Sequence, residues 1–112
     1  MAKDDYYVIV YKILAYLYDQ LKKGKNIEES MIRSSGRMFS INDRYWEYII
    51  INLYEERYIS GILITKTHGG VLIENLEDMM ITPKGIDYLF ENSMFEKAKK
   101  FLREAKEITP FI

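Results

Sequence analysis

Two switches of hydrophobic period constrain this chain more than anything else in it. Up to Arg57 the apolar residues recur at helical spacing. From Ile59 they run as "ISGILITKT" and "GVLIE" on either side of His68, Gly69 and Gly70, the pattern of a hairpin with glycines at its turn. The spacing becomes helical again inside "ITPKGIDYL", Ile81 to Leu89. There Thr82 is a good N-cap and Pro83 fits the first helical position, so a strand passes into a helix with almost no loop. A helical block, a hairpin and a second helical block must share one core.

Upstream of the first switch, Asp5 to Lys23 sets Val10, Ile13, Leu14, Leu17 and Leu21 at helical spacing. Its opening, "YYVIVY", would suggest a strand if taken alone. Length and the later spacing decide for a helix, and "LKKG" gives it a cationic last turn and a glycine stop. Asn26 and Glu29 stand at capping-box spacing, which predicts a short helix from Ile27 to about Ser34, stopped near Gly36. Ser40 and Asp43 form an S-x-x-D start for a third helix through "INDRYWEYIIINLYEER". Trp46, Ile49, Ile50 and Leu53 make its expected buried stripe, and Arg44, Tyr45, Tyr48, Asn52 and Glu55 lie towards the other side.

Beyond the hairpin, "NLED" reads as a turn and "MMIT" as a short returning strand. One helix then follows from Pro83 to about Glu91. The last is expected from about Ser93 to Ile108, with Met94, Phe95, Ala98, Phe101, Leu102 and Ala105 on one side and Pro110 ending it. The fold class is mainly α with a small β-hairpin (α+β), a winged helix-turn-helix with an extra C-terminal helix. A chain of 112 residues, 48% hydrophobic, can bury one core, so a single domain spans 1–112. Within it the helix-turn-helix is about 27–57, the wing about 59–82 and the C-terminal helices about 83–108, with helices two and three joined by a short glycine-containing turn.

Three stretches, "YWEYIIINLYEERYI", "LED" before "ITPKGIDYL", and "ENSMFEKAKK", resemble the YjcQ family, small winged-helix proteins of Firmicutes and their prophages. The resemblance covers roughly the C-terminal two thirds well and the first helix by pattern. It implies a DNA-binding-like fold and brings no catalytic or metal residues with it. Arg57 departs from it, since a glycine commonly follows the third helix in such proteins.

Composition narrows the function classes. With no cysteine, disulfides, thiolate metal sites and cysteine nucleophiles are excluded. His68, the one histidine, cannot build a histidine cluster and is expected as an exposed turn residue. No nucleotide-binding glycine motif or nucleophile with an evident base is present, so the chain reads as no enzyme, with no cofactor and no metal. The apolar run Tyr6–Tyr18 is broken by Lys12 and too short to span a bilayer, and Asp4 and Asp5 before it are wrong for a signal peptide. A cytoplasmic protein without membrane contact is expected.

Net charge is −1, which carries no basic signature of nucleic-acid binding. Between Lys22 and Arg44, however, six basic residues (Lys22, Lys23, Lys25, Arg33, Arg37, Arg44) face three acidic ones (Glu28, Glu29, Asp43), giving +3 and leaving −4 elsewhere. At the start of the third helix Asn42, Arg44, Tyr45 and Tyr48 are placed to reach base edges. Arg33, Ser34, Ser35 and Arg37 before it suit phosphates, and Lys66 at the wing tip suits the backbone. Glu47, Glu55 and Glu56 on the third helix, and Glu74, Glu77 and Asp78 after the wing, oppose such contacts.

Two readings remain. One is a DNA-binding regulator of the prophage type acting on double-stranded DNA. The other is an acidic winged helix that binds a protein through Tyr45 and Tyr48. Tyr6, Tyr7, Tyr11, Tyr16 and Tyr18 occur all round the first helix. Met94, Ala98, Phe101, Ala105 and Ile108 approximate a seam. Both features suit a homodimer through the first and last helices, or packing within the chain.

Overall fold

The computed structural model describes residues 1–107. Among them are α1 (Tyr6–Lys22), α2 (Glu29–Ile32), α3 (Asp43–Glu55), β1 (Ile59–Ser60), β2 (Leu63–Thr67), β3 (Gly70–Glu74), β4 (Met80–Ile81), α4 (Pro83–Glu91) and α5 (Ser93–Glu104). The fold is mixed α+β, with two separate two-stranded antiparallel sheets, β1–β4 and β2–β3.

The central pillar is α1. It packs against α4, α5 and β4, and every residue from Val8 to Leu14 is buried. Around it lie Ile49, Ile50 and Leu53 of α3, Ile59 and Ile81 of the β1–β4 pair, and Phe95, Ala98 and Leu102 of α5. Trp46 is only half-buried, and its indole N–H donates to the Ile32 carbonyl at 2.7 Å. Leu21, expected in the apolar stripe of α1, is exposed. The tyrosines of α1 are taken up within the chain. Tyr11 and Tyr16 are buried, and Tyr6, Tyr7 and Tyr18 are half-buried against the core. The tyrosine excess therefore does not call for a second subunit at α1.

The strand-to-helix joint forms as its residues dictate. The Thr82 hydroxyl accepts from the Gly85 N–H at 3.0 Å and donates to the Arg57 carbonyl at 2.6 Å, so one cap holds both α4 and the end of α3. Gly85 is required by closeness. A Cβ there would lie 2.2 Å from the Tyr58 carbonyl oxygen, because the first turn of α4 rests on that backbone. The last strand pairs with β1 (Ile59 opposite Ile81) rather than extending the hairpin. The hairpin is thus β2–β3 alone, closed by His68 and Gly69 and joined to the core through Ile64 and Ile73.

Two helix ends are closed identically by different residues. After α1, the Gly24 N–H reaches the Leu21 carbonyl (3.1 Å) and the Lys25 N–H the Gln20 carbonyl (3.0 Å). After α3, the Arg57 N–H reaches Tyr54 (3.0 Å) and the Tyr58 N–H reaches Leu53 (2.9 Å). Gly24 and Arg57 have φ of 67° and 63°. The position where a glycine was expected is thus left-handed, and Arg57 holds it at a cost of roughly 1–2 kcal/mol.

Four expectations need correction. The second helix is one turn, Glu29–Ile32, with no capping box: Glu28 holds the cap position without a side-chain bond. Its N–H is taken by the Tyr16 hydroxyl at 2.9 Å, which ties this segment to α1 instead. The connection to α3 is no short turn but residues 33–42, folded on itself through a Ser35–Ser40 bridge, with Met38 and Phe39 buried. The cap of α3 is Asn42, not Ser40. Finally, α5 ends at Glu104 and leaves Ala105 exposed, while Ile108 and Pro110 lie outside the described residues.

Candidate nucleic-acid interface

α3 carries the candidate face because one side of it is spent on the core. Ile49, Ile50 and Leu53 point inward, which turns Arg44, Tyr48 and Glu55 to solvent. The N-terminal turn is fixed by the Asn42 side chain, whose Oδ1 accepts from the Tyr45 N–H at 2.8 Å. That bond makes Asn42 a structural cap and occupies the oxygen needed for a two-point contact with adenine. Tyr45 is similarly engaged, donating its hydroxyl to the Asp4 carbonyl at 2.8 Å. Burial raises the pKa of this phenol, with the Asp4 and Asp5 carboxylates adding to the effect, so it stays neutral.

Tyr48 is 59% exposed, and its ring meets Tyr6 edge-on with centroids 6.4 Å apart. Burial first, and then neighbouring phenols led by Tyr48, push the Tyr6 hydroxyl up to about 12. Arg44, one turn before Tyr48, is exposed and makes no ion pair among the described residues. These two side chains are the part of the predicted α3 set left free to touch a ligand.

The arginines before α3 are exposed but matched. Arg33 pairs with Glu29 and Arg37 with Glu28, each at 3.0 Å. Asp43 accepts from the Ser34 hydroxyl at 2.6 Å. Arg33, Arg37 and Arg44 against Glu28, Glu29 and Asp43 sum to zero (3 − 3), so the +3 of this segment resides in Lys22, Lys23 and Lys25. Those lysines belong to the end of α1, where Lys23 bonds Asp19 at 2.9 Å and Lys22 lies 4.5 Å from the centre of the Tyr18 ring. The excess of charge is not a patch on α2–α3. Arg33, Ser34 and Ser35 do share a concavity of about 260 Å³ with Trp46, but Asp43 and Glu47 line it too.

Lys66 is exposed on β2, opposite Val71, two residues from the His68–Gly69 turn. The hairpin's outward face brings Leu63 and Leu72 into solvent, each about half exposed, which no charge or motif signal pointed to. Sequence reasoning also passed over Lys12 as a mere interruption, although a lone lysine in an apolar helix was itself the signal. It is buried and paired with Glu107.

The family model described as YjcQ protein matches residues 11–108 of the 112. The chain belongs to the YjcQ family. The match begins inside α1 and includes every candidate residue, so the α3 face and the hairpin are parts of the YjcQ unit rather than additions to it. No curated protein and no solved structure matches the chain significantly. No helix among the described residues is long and apolar enough to cross a membrane.

Proposed function

We propose that this YjcQ-family protein is a winged-helix DNA-binding protein of the cytoplasm, a regulator of the prophage type rather than an enzyme. α3 enters the major groove and the β2–β3 hairpin lies along the backbone. The observation that carries this reading is a helix with Ile49, Ile50 and Leu53 buried and a free Arg44–Tyr48 face, followed after β1 by a hairpin that carries Lys66 near its turn. An arginine there can make two hydrogen bonds to guanine. The pairs Arg33–Glu29 and Arg37–Glu28 are exposed, and such pairs contribute only about 0–1 kcal/mol, so phosphates can exchange for the glutamates. A dimer would place two α3 helices on successive half-sites, as in other helix-turn-helix proteins.

The reading predicts that Arg37→Ala and Arg44→Ala together weaken binding to duplex DNA, with the lost Arg37–phosphate contact lowering the salt slope by about one. A double variant that shifts DNA mobility like the parent would overturn the assignment of this face. A second reading, a protein-binding module, draws on the cancelled charge around α2–α3 and on Tyr48. It predicts capture of a protein partner that Tyr48→Ala abolishes, with no salt-sensitive DNA binding.

A further inference from the structure

We infer that the buried ammonium of Lys12 forms the base of a site for a small carboxylate, which Glu107 occupies in the resting protein. Lys12 is 2% exposed in the middle of α1. Its Nζ donates to the Met38 carbonyl at 2.8 Å and to the Glu107 carboxylate. Met38 lies in the connection leading to α3, and Glu107 in the turn after α5. A cavity of about 270 Å³ opens over the ammonium, lined by Lys3, Asp4, Arg37, residues 38–41 and Glu107.

Three physical facts point to an exchangeable anion. A buried ammonium is costly to desolvate and one carbonyl does not neutralise it, so the position demands a negative charge. The charge that serves it sits at the edge: the Glu107 side chain is 31% exposed and leaves by rotation into water, whereas the Met38 contact is backbone and stays. With Glu107 turned out, Lys3, Lys12 and Arg37 line the cavity with Asp4, and Arg37 is held by Glu28, which leaves an excess of one positive charge (3 − 2). The group already seated on Nζ is a carboxylate, and the cavity lies just under the usual range for drug-sized ligands, which suits a mono- or dicarboxylate of few atoms. This inference does not depend on the DNA reading.

Succinate is a suitable probe, followed by the amide signals of residues 38–41 in NMR titrations of the full chain. If Glu107 fills the site nine-tenths of the time, Glu107→Gln should bind succinate roughly tenfold more tightly than the parent. Lys12→Met should abolish binding. Should that variant fail to fold, Lys12→Met with Glu107→Gln replaces the pair by neutral groups of similar size and serves the same purpose. Absence of succinate binding to Glu107→Gln at saturating concentration would overturn the proposal. So would a Lys12→Met/Glu107→Gln double variant that binds like Glu107→Gln. Inorganic phosphate binding as tightly as succinate would overturn the carboxylate assignment.

Discussion

α1 and α3 are both amphipathic in sequence, yet the fold uses them in opposite ways. α1 is enclosed by α4, α5 and β4, and even Lys12 in its middle is buried. α3 buries one stripe and leaves Arg44, Tyr48 and Glu55 in water. Stability is therefore concentrated in α1, while α3 has a face free to be used. Burial on all sides leaves a helix no surface with which to recognise anything; burial on one side positions the other side rigidly.

Substitutions can break this contrast in graded steps. Leu14→Ala, at a fully buried position of α1, should cost roughly 2–5 kcal/mol in chemical denaturation. Tyr48→Ala, on the free face of α3, should stay within about 0.5 kcal/mol of the parent. Comparable losses from the two would remove the distinction. Next in size is Asn42→Ala, which leaves the Tyr45 N–H without its side-chain acceptor and should cost about 1 kcal/mol. If Asn42 instead reads bases, its replacement would lower DNA affinity far more than stability. Smallest is Arg57→Gly, expected to stabilise by roughly 0.5–1 kcal/mol and raise the melting temperature, because glycine adopts φ of 63° freely. A lower melting temperature would mean that the Arg57 side chain contributes more than its backbone strain costs.

What the sequence revealed and what it concealed divide by range. The Thr82–Pro83 joint, the Ile49, Ile50 and Leu53 part of the α3 stripe and the hairpin turn were legible because each depends on residues within one turn or one strand pair. The departure at Arg57 was visible as a missing glycine, and the left-handed backbone gives it a physical meaning. The second helix was over-extended because nothing local says that the Tyr16 hydroxyl, twelve residues away, claims the Glu28 N–H. Likewise, charge summed along Lys22–Arg44 suggested a patch that space divides between the end of α1 and the start of α3. The partner of Lys12 is 95 residues distant, beyond any pattern of spacing. Of the candidate site, residue types and exposure were readable for Arg33, Arg37, Arg44, Tyr48 and Lys66. The hydrogen bonds that commit Asn42 and Tyr45 to holding the fold were not.

The central claim is that the free face of α3, with the hairpin, binds duplex DNA. It is tested most directly by fluorescence anisotropy of a labelled random duplex titrated with the protein at about 50 and 200 mM salt. Phosphate neutralisation predicts micromolar binding at the lower salt that falls by orders of magnitude at the higher. Affinity that is unchanged between the two salts, or no binding at either, would contradict it and direct attention to a protein partner.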